Sequence, residues 1–273
     1  MIISTDQRTP TEIESSLARL IEPLEHAAVA VSGGVDSMTL AVVCGRVLGQ
    51  RFSAFHAVSP AVPSIATQRV KHYAQRFGWD LQIFEAGEFS DPEYLANPFN
   101  RCYFCKSNLY DRIAENTEYQ VFSGANADDL GDFRPGLIAA RERAVRHPYV
   151  EIDASKAHVR ALAAHLELHE VEALPAMPCL SSRVESGIRI QATDLAFVNA
   201  VEELLRERLQ ADTARCRIGH AGVRIELDEA ALTDIGSAEQ ADLRAEISNY
   251  CASSDRVFCG FERYARGSAF LRS

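Results

Sequence analysis

The sequence predicts an α/β fold, a parallel sheet wrapped by helices, followed by a smaller C-terminal α+β domain. Three observations carry this. Short apolar runs alternate with amphipathic helical stretches over the first two-thirds of the chain. The first of those runs ends in a glycine turn that opens a helix. A proline-punctuated stretch near residues 175–188 then separates this alternation from a region with a different order of elements.

Residues 10–25 place Ile13, Leu17, Leu20, Ile21 and Leu24 at helical spacing. Ala27–Val31 is wholly apolar and reads as a strand buried on both faces. Ser32-Gly33-Gly34-Val35-Asp36-Ser37 follows, and Met38–Leu48 is helical in pattern. The alternation continues with strands over 51–58, 80–84 and 119–124 and helices over 65–77, 105–116 and 155–168. Beyond the prolines come a helix over 193–209 and strands over 215–218 and 222–227. Helices from Glu229 and Glu239 and a strand over 256–261 complete the pattern. The expected domains are residues 1–180 and 181–273.

The chain has 273 residues, 47% hydrophobic and 24% charged, the composition of a folded globular protein. Its formal net charge of −10 repels a phosphate backbone and excludes general nucleic-acid binding. The N-terminal stretch lacks a basic segment followed by an apolar one, and no apolar run approaches the ~18 residues of a membrane span. A cytoplasmic protein without a membrane partner is therefore expected. Seven cysteines, an odd number, then read as thiols, metal ligands or catalysts rather than disulfides.

Four motifs carry chemistry. In Ser32–Ser37 the paired glycines let the backbone approach a phosphate, the helix start behind them offers unpaired N–H groups, and Ser32 and Ser37 add hydroxyls. Asp36 is placed either to cap the helix or to help hold Mg²⁺. The Walker A spacing is absent, and a plain glycine turn is the simpler alternative. The second motif is Asn100-Arg101-Cys102-Tyr103-Phe104-Cys105-Lys106, a Cys-x-x-Cys followed by a lysine able to reach a phosphate as a point charge. The third, Pro178-Cys179-Leu180-Ser181-Ser182-Arg183, adds a third cysteine. Three thiolates suit an open Zn²⁺ or iron–sulfur site, and buried thiols or a redox pair are the alternatives. The fourth motif runs from Gly124 to Gly136 at a strand end. It includes Asn126, Asp128, Asp129, Asp132 and Arg134, which suit nucleotide and Mg²⁺ handling or a solvated loop of Asx turns. In the C-terminal region Arg215-Cys216-Arg217 places two guanidiniums at strand alternation, a phosphate clamp or two surface arginines.

The hexapeptide Ser32–Ser37 resembles the signature of the PP-loop ATP pyrophosphatases, the adenine nucleotide alpha hydrolase-like fold. Those enzymes cleave ATP between the α and β phosphates and adenylate an oxygen of a substrate. Taken with Asn100–Lys106, Gly124–Gly136 and Pro178–Arg183, it resembles the LarE family over roughly residues 10–230. That resemblance implies an ATP-dependent sulfur transferase of nickel-pincer nucleotide synthesis, the cofactor of lactate racemase. A carboxylate of pyridinium-3,5-biscarboxylic acid mononucleotide is adenylated, and a sulfur nucleophile replaces AMP to give a thiocarboxylate. One branch of the family sacrifices a single cysteine at the Cys179 position. The other holds a [4Fe-4S] cluster on three, and Cys102, Cys105 and Cys179 match that set.

The implied cofactors are ATP, Mg²⁺ and the cluster. The implied nucleotide site is Ser32, Gly33, Gly34, Val35, Asp36, Ser37, Lys106, Gly124, Asn126 and Asp128. Arg183, Arg215 and Arg217 are the candidates for the phosphate of the small-molecule nucleotide substrate. The family self-associates, which implies a homo-oligomer. The C-terminal strand departs from the family pattern, with Gly260 where an Asp and Ala265 where an Arg is expected; Glu262 and Arg263 are the nearby replacements. Three other readings compete: a tRNA thiolase with the same loop and cysteines, an ammonia-fed amidating ligase, and a nucleotide-binding module with a structural zinc.

Overall fold

The fold is seen in a computed structural model that describes residues 8–131, 134–175, 178–209, 211, 213–234, 237–252 and 256–265. In chain order its elements are α1 (Pro10–Ile21), β1 (Ala27–Ala30), α2 (Val35–Leu48), β2 (Phe52–Ala57), α3 (Ser64–Phe77), β3 (Asp80–Phe84), α4 (Pro92–Leu95), α5 (Arg101–Ala114) and β4 (Gln120–Ser123). There follow α6 (Pro135–Glu142), α7 (Pro148–Glu151), α8 (Lys156–His165), α9 (His169–Glu172), α10 (Ala192–Arg208), β5 (Ala214–Gly219), β6 (Gly222–Leu227), α11 (Glu229–Asp234), α12 (Ser237–Ala252) and β7 (Phe258–Arg263). The chain divides into two compact units. One holds residues 1–59, 64–88 and 102–177, the other residues 60–63, 89–101 and 178–273.

In the first unit β1 is the centre of an all-parallel sheet of order β3-β2-β1-β4. Its sequence, Ala-Ala-Val-Ala, explains the position: every residue is buried, so both faces must be covered. Side chains alternate along the strand. Ala27 and Val29 join one core with Ile13, Leu17 and Ile21 of α1, Met38 and Val42 of α2, and Val159 and Leu162 of α8. Ala28 and Ala30 join a second core with Phe55, Tyr110, Ile113 and Val121. Helix α1 starts on a capping box in which the Thr9 hydroxyl accepts the Glu12 N–H and the Glu12 carboxylate accepts the Thr9 N–H at 2.7 Å. The strand order reverses direction between β1 and β4, so the crevice beyond their carboxyl ends is the switch point where such sheets bind ligands.

The second unit has a three-stranded sheet of order β5-β6-β7. β5 and β6 form an antiparallel hairpin, and β7 returns parallel to β6 after α11 and α12. Residues 89–101 go with this unit because of Asn97. Fully buried at a positive φ of 54°, a conformation asparagine tolerates, it donates to the carbonyls of Glu185 and Ile188 at 2.9 Å each and accepts from Arg101. The Tyr94 hydroxyl adds a 2.6 Å bond to Ser181.

The fold is the α/β class with a parallel sheet and a smaller C-terminal region. Four short helices, α4, α6, α7 and α9, are additions to the expected pattern. Three of them carry proline at the first helical position, where its missing N–H costs nothing, and in sequence those prolines look like breakers. Among the described residues no helix is long and apolar enough to cross a membrane.

Candidate functional site

The loop after β1 is closed by its own serines. Ser37 Oγ accepts the Ser32 N–H at 3.0 Å and lies 3.1 Å from Ser32 Oγ. Gly33 sits at φ 84°, and a Cβ there would lie 2.8 Å from the Ala66 carbonyl, so glycine is required for conformation and for space. Gly34 is the N-cap of α2 with no side-chain cap. Val35 is buried, and the first-turn N–H groups are left to serve an anion.

Gly124, at the end of β4, meets this loop directly. A Cβ there would lie 2.7 Å from the Ser37 nitrogen and 2.8 Å from the Asp36 carbonyl carbon, both backbone atoms. Gly124→Ala is therefore expected to displace the first turn of α2 and cost about 1–3 kcal/mol. Urea denaturation checks this, and an unchanged midpoint would show that the two loops are not in contact.

Asp36 is the hub. Its carboxylate accepts from Lys156 Nζ at 2.5 Å and from Asn126 Nδ2 at 3.2 Å, and the Tyr149 hydroxyl donates to its carbonyl at 3.3 Å. Buried Asn126 is held in an Asx turn: its Oδ1 accepts the Asp128 N–H at 3.1 Å and its N–H donates to Asp129 at 3.0 Å. Asp128 accepts the Lys156 backbone N–H at 3.0 Å, and Asp129 pairs with Arg134 at 2.8 Å. The acidic loop is thus tied to the glycine loop after β1 and to the start of α8. Asp132 and Phe133 of this motif lie outside the described residues.

Sequence reasoning missed Lys156. Its signal is a lysine in the first turn of a helix, where the dipole disfavours a cation, in a chain whose lysines are Lys71, Lys106 and Lys156. It also missed His147, whose Nδ1 lies 2.7 Å from Ser123 Oγ at the end of β4, with burial lowering its pKa. Lys106, on α5, places its ammonium 5.7 Å from the Tyr110 ring centre.

The cysteines sort by environment. Cys44, Cys216 and Cys251 are buried, and burial pushes all three thiols up, away from the thiolate. Cys259 is exposed on β7. Cys102, Cys105 and Cys179 are half-buried and not in disulfides. Cys102 and Cys105 share one face of the first turn of α5, in the first unit. Cys179 is in the second unit, at the start of a 3-10 turn over Leu180–Arg183, and Met177 before it lies outside the described residues. Among the described residues no group of three or more His, Cys, Asp or Glu side chains is arranged to hold a metal.

The three arginines occupy the second unit. Arg183 is 3% exposed and bidentate to Glu202 at 2.8 and 2.9 Å. Burial pulls its pKa down, but the bonds to Glu202 outweigh this and leave it raised. Arg217 is 5% exposed, bonded to Glu226 at 2.9 Å and to the Ser182 carbonyl at 2.8 Å. Arg215 is half-buried over the Tyr264 ring, and burial followed by the charge of Arg183 lowers its pKa. Arg183 and Arg217 are thus paired to buried carboxylates, and Arg215 Nη1 donates to the Ala214 carbonyl at 2.8 Å. At the departing strand, Glu262 lies 3.6 Å from Arg224 and Arg263 pairs with Glu229 at 2.8 Å. Arg266, Gly267 and Ser268 lie outside the described residues.

No family model matches the chain. An uncharacterised protein of Synechocystis sp. is 41% identical over 223 residues, 79% of this chain and 82% of that protein. An uncharacterised protein of Methanocaldococcus jannaschii is 25% identical over 182 residues, 65% and 68% of the two chains. Pyridinium-3,5-bisthiocarboxylic acid mononucleotide synthase of Lactiplantibacillus plantarum is 31% identical over 226 residues, 81% of each chain. With that identity over four-fifths of both lengths, the chain belongs to the pyridinium-3,5-bisthiocarboxylic acid mononucleotide synthase family, the LarE family.

Proposed function

We propose that the chain is an ATP-dependent sulfur transferase that turns a carboxylate of pyridinium-3,5-biscarboxylic acid mononucleotide into a thiocarboxylate. The observation that carries the reading is the junction of two loops at the switch point. Gly124 packs on the backbone of Asp36 and Ser37, and Asn126 bonds to the Asp36 side chain. The uncapped start of α2 and the two serine hydroxyls suit the phosphates of ATP. Asp36 already draws a cation, Lys156, and with Asp128 supplies the oxygen donors that Mg²⁺ prefers. In the first step a substrate carboxylate oxygen bonds to the α-phosphorus and pyrophosphate leaves. Lys156 and the loop N–H groups steady the charge that develops on it. In the second step sulfur bonds to the acyl carbon and AMP leaves.

By the family resemblance Cys102, Cys105 and Cys179 are the candidate donors of a [4Fe-4S] cluster, and each is a half-buried thiol outside any disulfide. Such a cluster, when bound, supplies a transferable sulfide. Arg215 takes the substrate's phosphate, with the carboxylate-anchored Arg183 and Arg217 setting the local potential.

The test is anaerobic incubation of the purified chain with Mg·ATP and the dicarboxylate mononucleotide. AMP, pyrophosphate and a product with sulfur in place of oxygen are expected, together with about four irons per chain. ATP left intact in the presence of that substrate rejects the reading. One bound zinc without iron rejects the cluster alone.

A further inference from the structure

We propose that Arg69 is a positioning residue of the phosphate loop: by holding the Gly33 carbonyl it fixes the Gly33–Gly34 peptide so that the Gly34 N–H faces the phosphates. This rests on the nucleotide reading above. Arg69 Nη1 donates to Gly33 O at 2.7 Å. One helical turn earlier on α3, Ala66 abuts Gly33, so a single helix face braces this residue at two points. A trans peptide points its C=O and N–H in opposite directions, so anchoring one aims the other.

The anchor matters here because Gly33, at φ 84°, has no side chain to restrict rotation of that peptide. The Gly34 N–H donates to Ser32 Oγ at 3.5 Å, a long bond that a phosphate oxygen would outcompete. A charged donor also polarises the peptide it binds, which strengthens the N–H on the other side. Burial lowers the Arg69 pKa, and Tyr73 and Glu170 oppose that effect. Arg69 lines an open pocket of about 270 Å³ with Ile65, Gln68, His72 and Glu170, which gives a small cation a way in.

The experiment is calorimetric titration of the full chain with Mg·ATP. Arg69→Ala is expected to weaken binding roughly ten- to a hundredfold, the effect of losing one charged hydrogen bond. Millimolar guanidinium chloride is expected to restore much of it, and tetramethylammonium chloride at equal ionic strength is not. Arg69→Lys, which keeps a charged donor, should fall between the two. Wild-type affinity in Arg69→Ala overturns the proposal. So does weakened binding that neither guanidinium nor Arg69→Lys improves, which would make the side chain a packing element. A wild-type chain that binds no ATP rejects the nucleotide reading itself, an outcome separable from failure at Arg69 alone.

Discussion

Cys179→Ala is expected to stop thiocarboxylate formation while AMP-forming cleavage of ATP continues. Each half of this outcome has its own physical cause. In the proposed chemistry Cys179 is one of the three thiolates that would hold the sulfide-supplying cluster, and alanine has no ligand atom in place of Sγ. Loss of that ligand is expected to lower thiocarboxylate turnover by at least roughly a thousandfold. Adenylation draws instead on the loop at Ser32–Ser37 and on Asp36, which belong to the other unit of the chain. The variant should also fold, because the Cys179 backbone is held through its carbonyl. That oxygen accepts from Ser182 Oγ at 2.7 Å and from Arg183 Nη1 at 3.2 Å, and Leu180 N–H bonds to the Ala61 carbonyl at 2.8 Å. Single-turnover assays that follow AMP and thiocarboxylate separately make the measurement. Full sulfur transfer in the variant would remove the cysteine from the mechanism.

Arg183→Met is expected to cost about 3–5 kcal/mol of folding stability, the usual consequence of stranding one charge of a buried pair. The stranded group is Glu202, 5% exposed. Its carboxylate also accepts the Cys216 N–H at 3.1 Å, which ties α10 to β5. Replacing both residues, Arg183→Met with Glu202→Leu, should recover much of the loss, because no charge is then buried alone. It leaves the Cys216 N–H without that acceptor, which keeps a residual cost of about 1–3 kcal/mol. A urea-denaturation double-mutant cycle reads the coupling. A loss below about 1 kcal/mol in the single variant, the range of a surface pair, would show that the ion pair is solvated. The result also bears on the substrate. An arginine needed to hold the second unit together is not available to move onto a ligand.

The elements were legible in the sequence because they rest on local periodicity. The apolar run at Ala27–Val31, the spacing of Ile13, Leu17 and Ile21, and the strands over 215–218 and 222–227 each read correctly from neighbours in the chain. The glycine turn after β1 was legible for a similar reason, since a glycine pair flanked by serines between a strand and a helix is a contiguous pattern. Residues joined across long sequence distances were not. Lys156 lies 120 positions from Asp36, and only the packing of α8 beside α2 brings the two together.

The arginines show where the limit falls. Strand alternation relates Arg215 to Arg217, but it does not reveal what stands across the sheet. In the β5–β6 register Arg217 faces Arg224, while its guanidinium reaches diagonally to Glu226. The sequence by itself determined the fold class, the glycine turn between β1 and α2 and the order of the strands along the chain. The tertiary structure decided which charges pair with each other. The physical reason is that secondary structure depends on contacts within a few residues, whereas the partner of a buried charge depends on how separate elements pack.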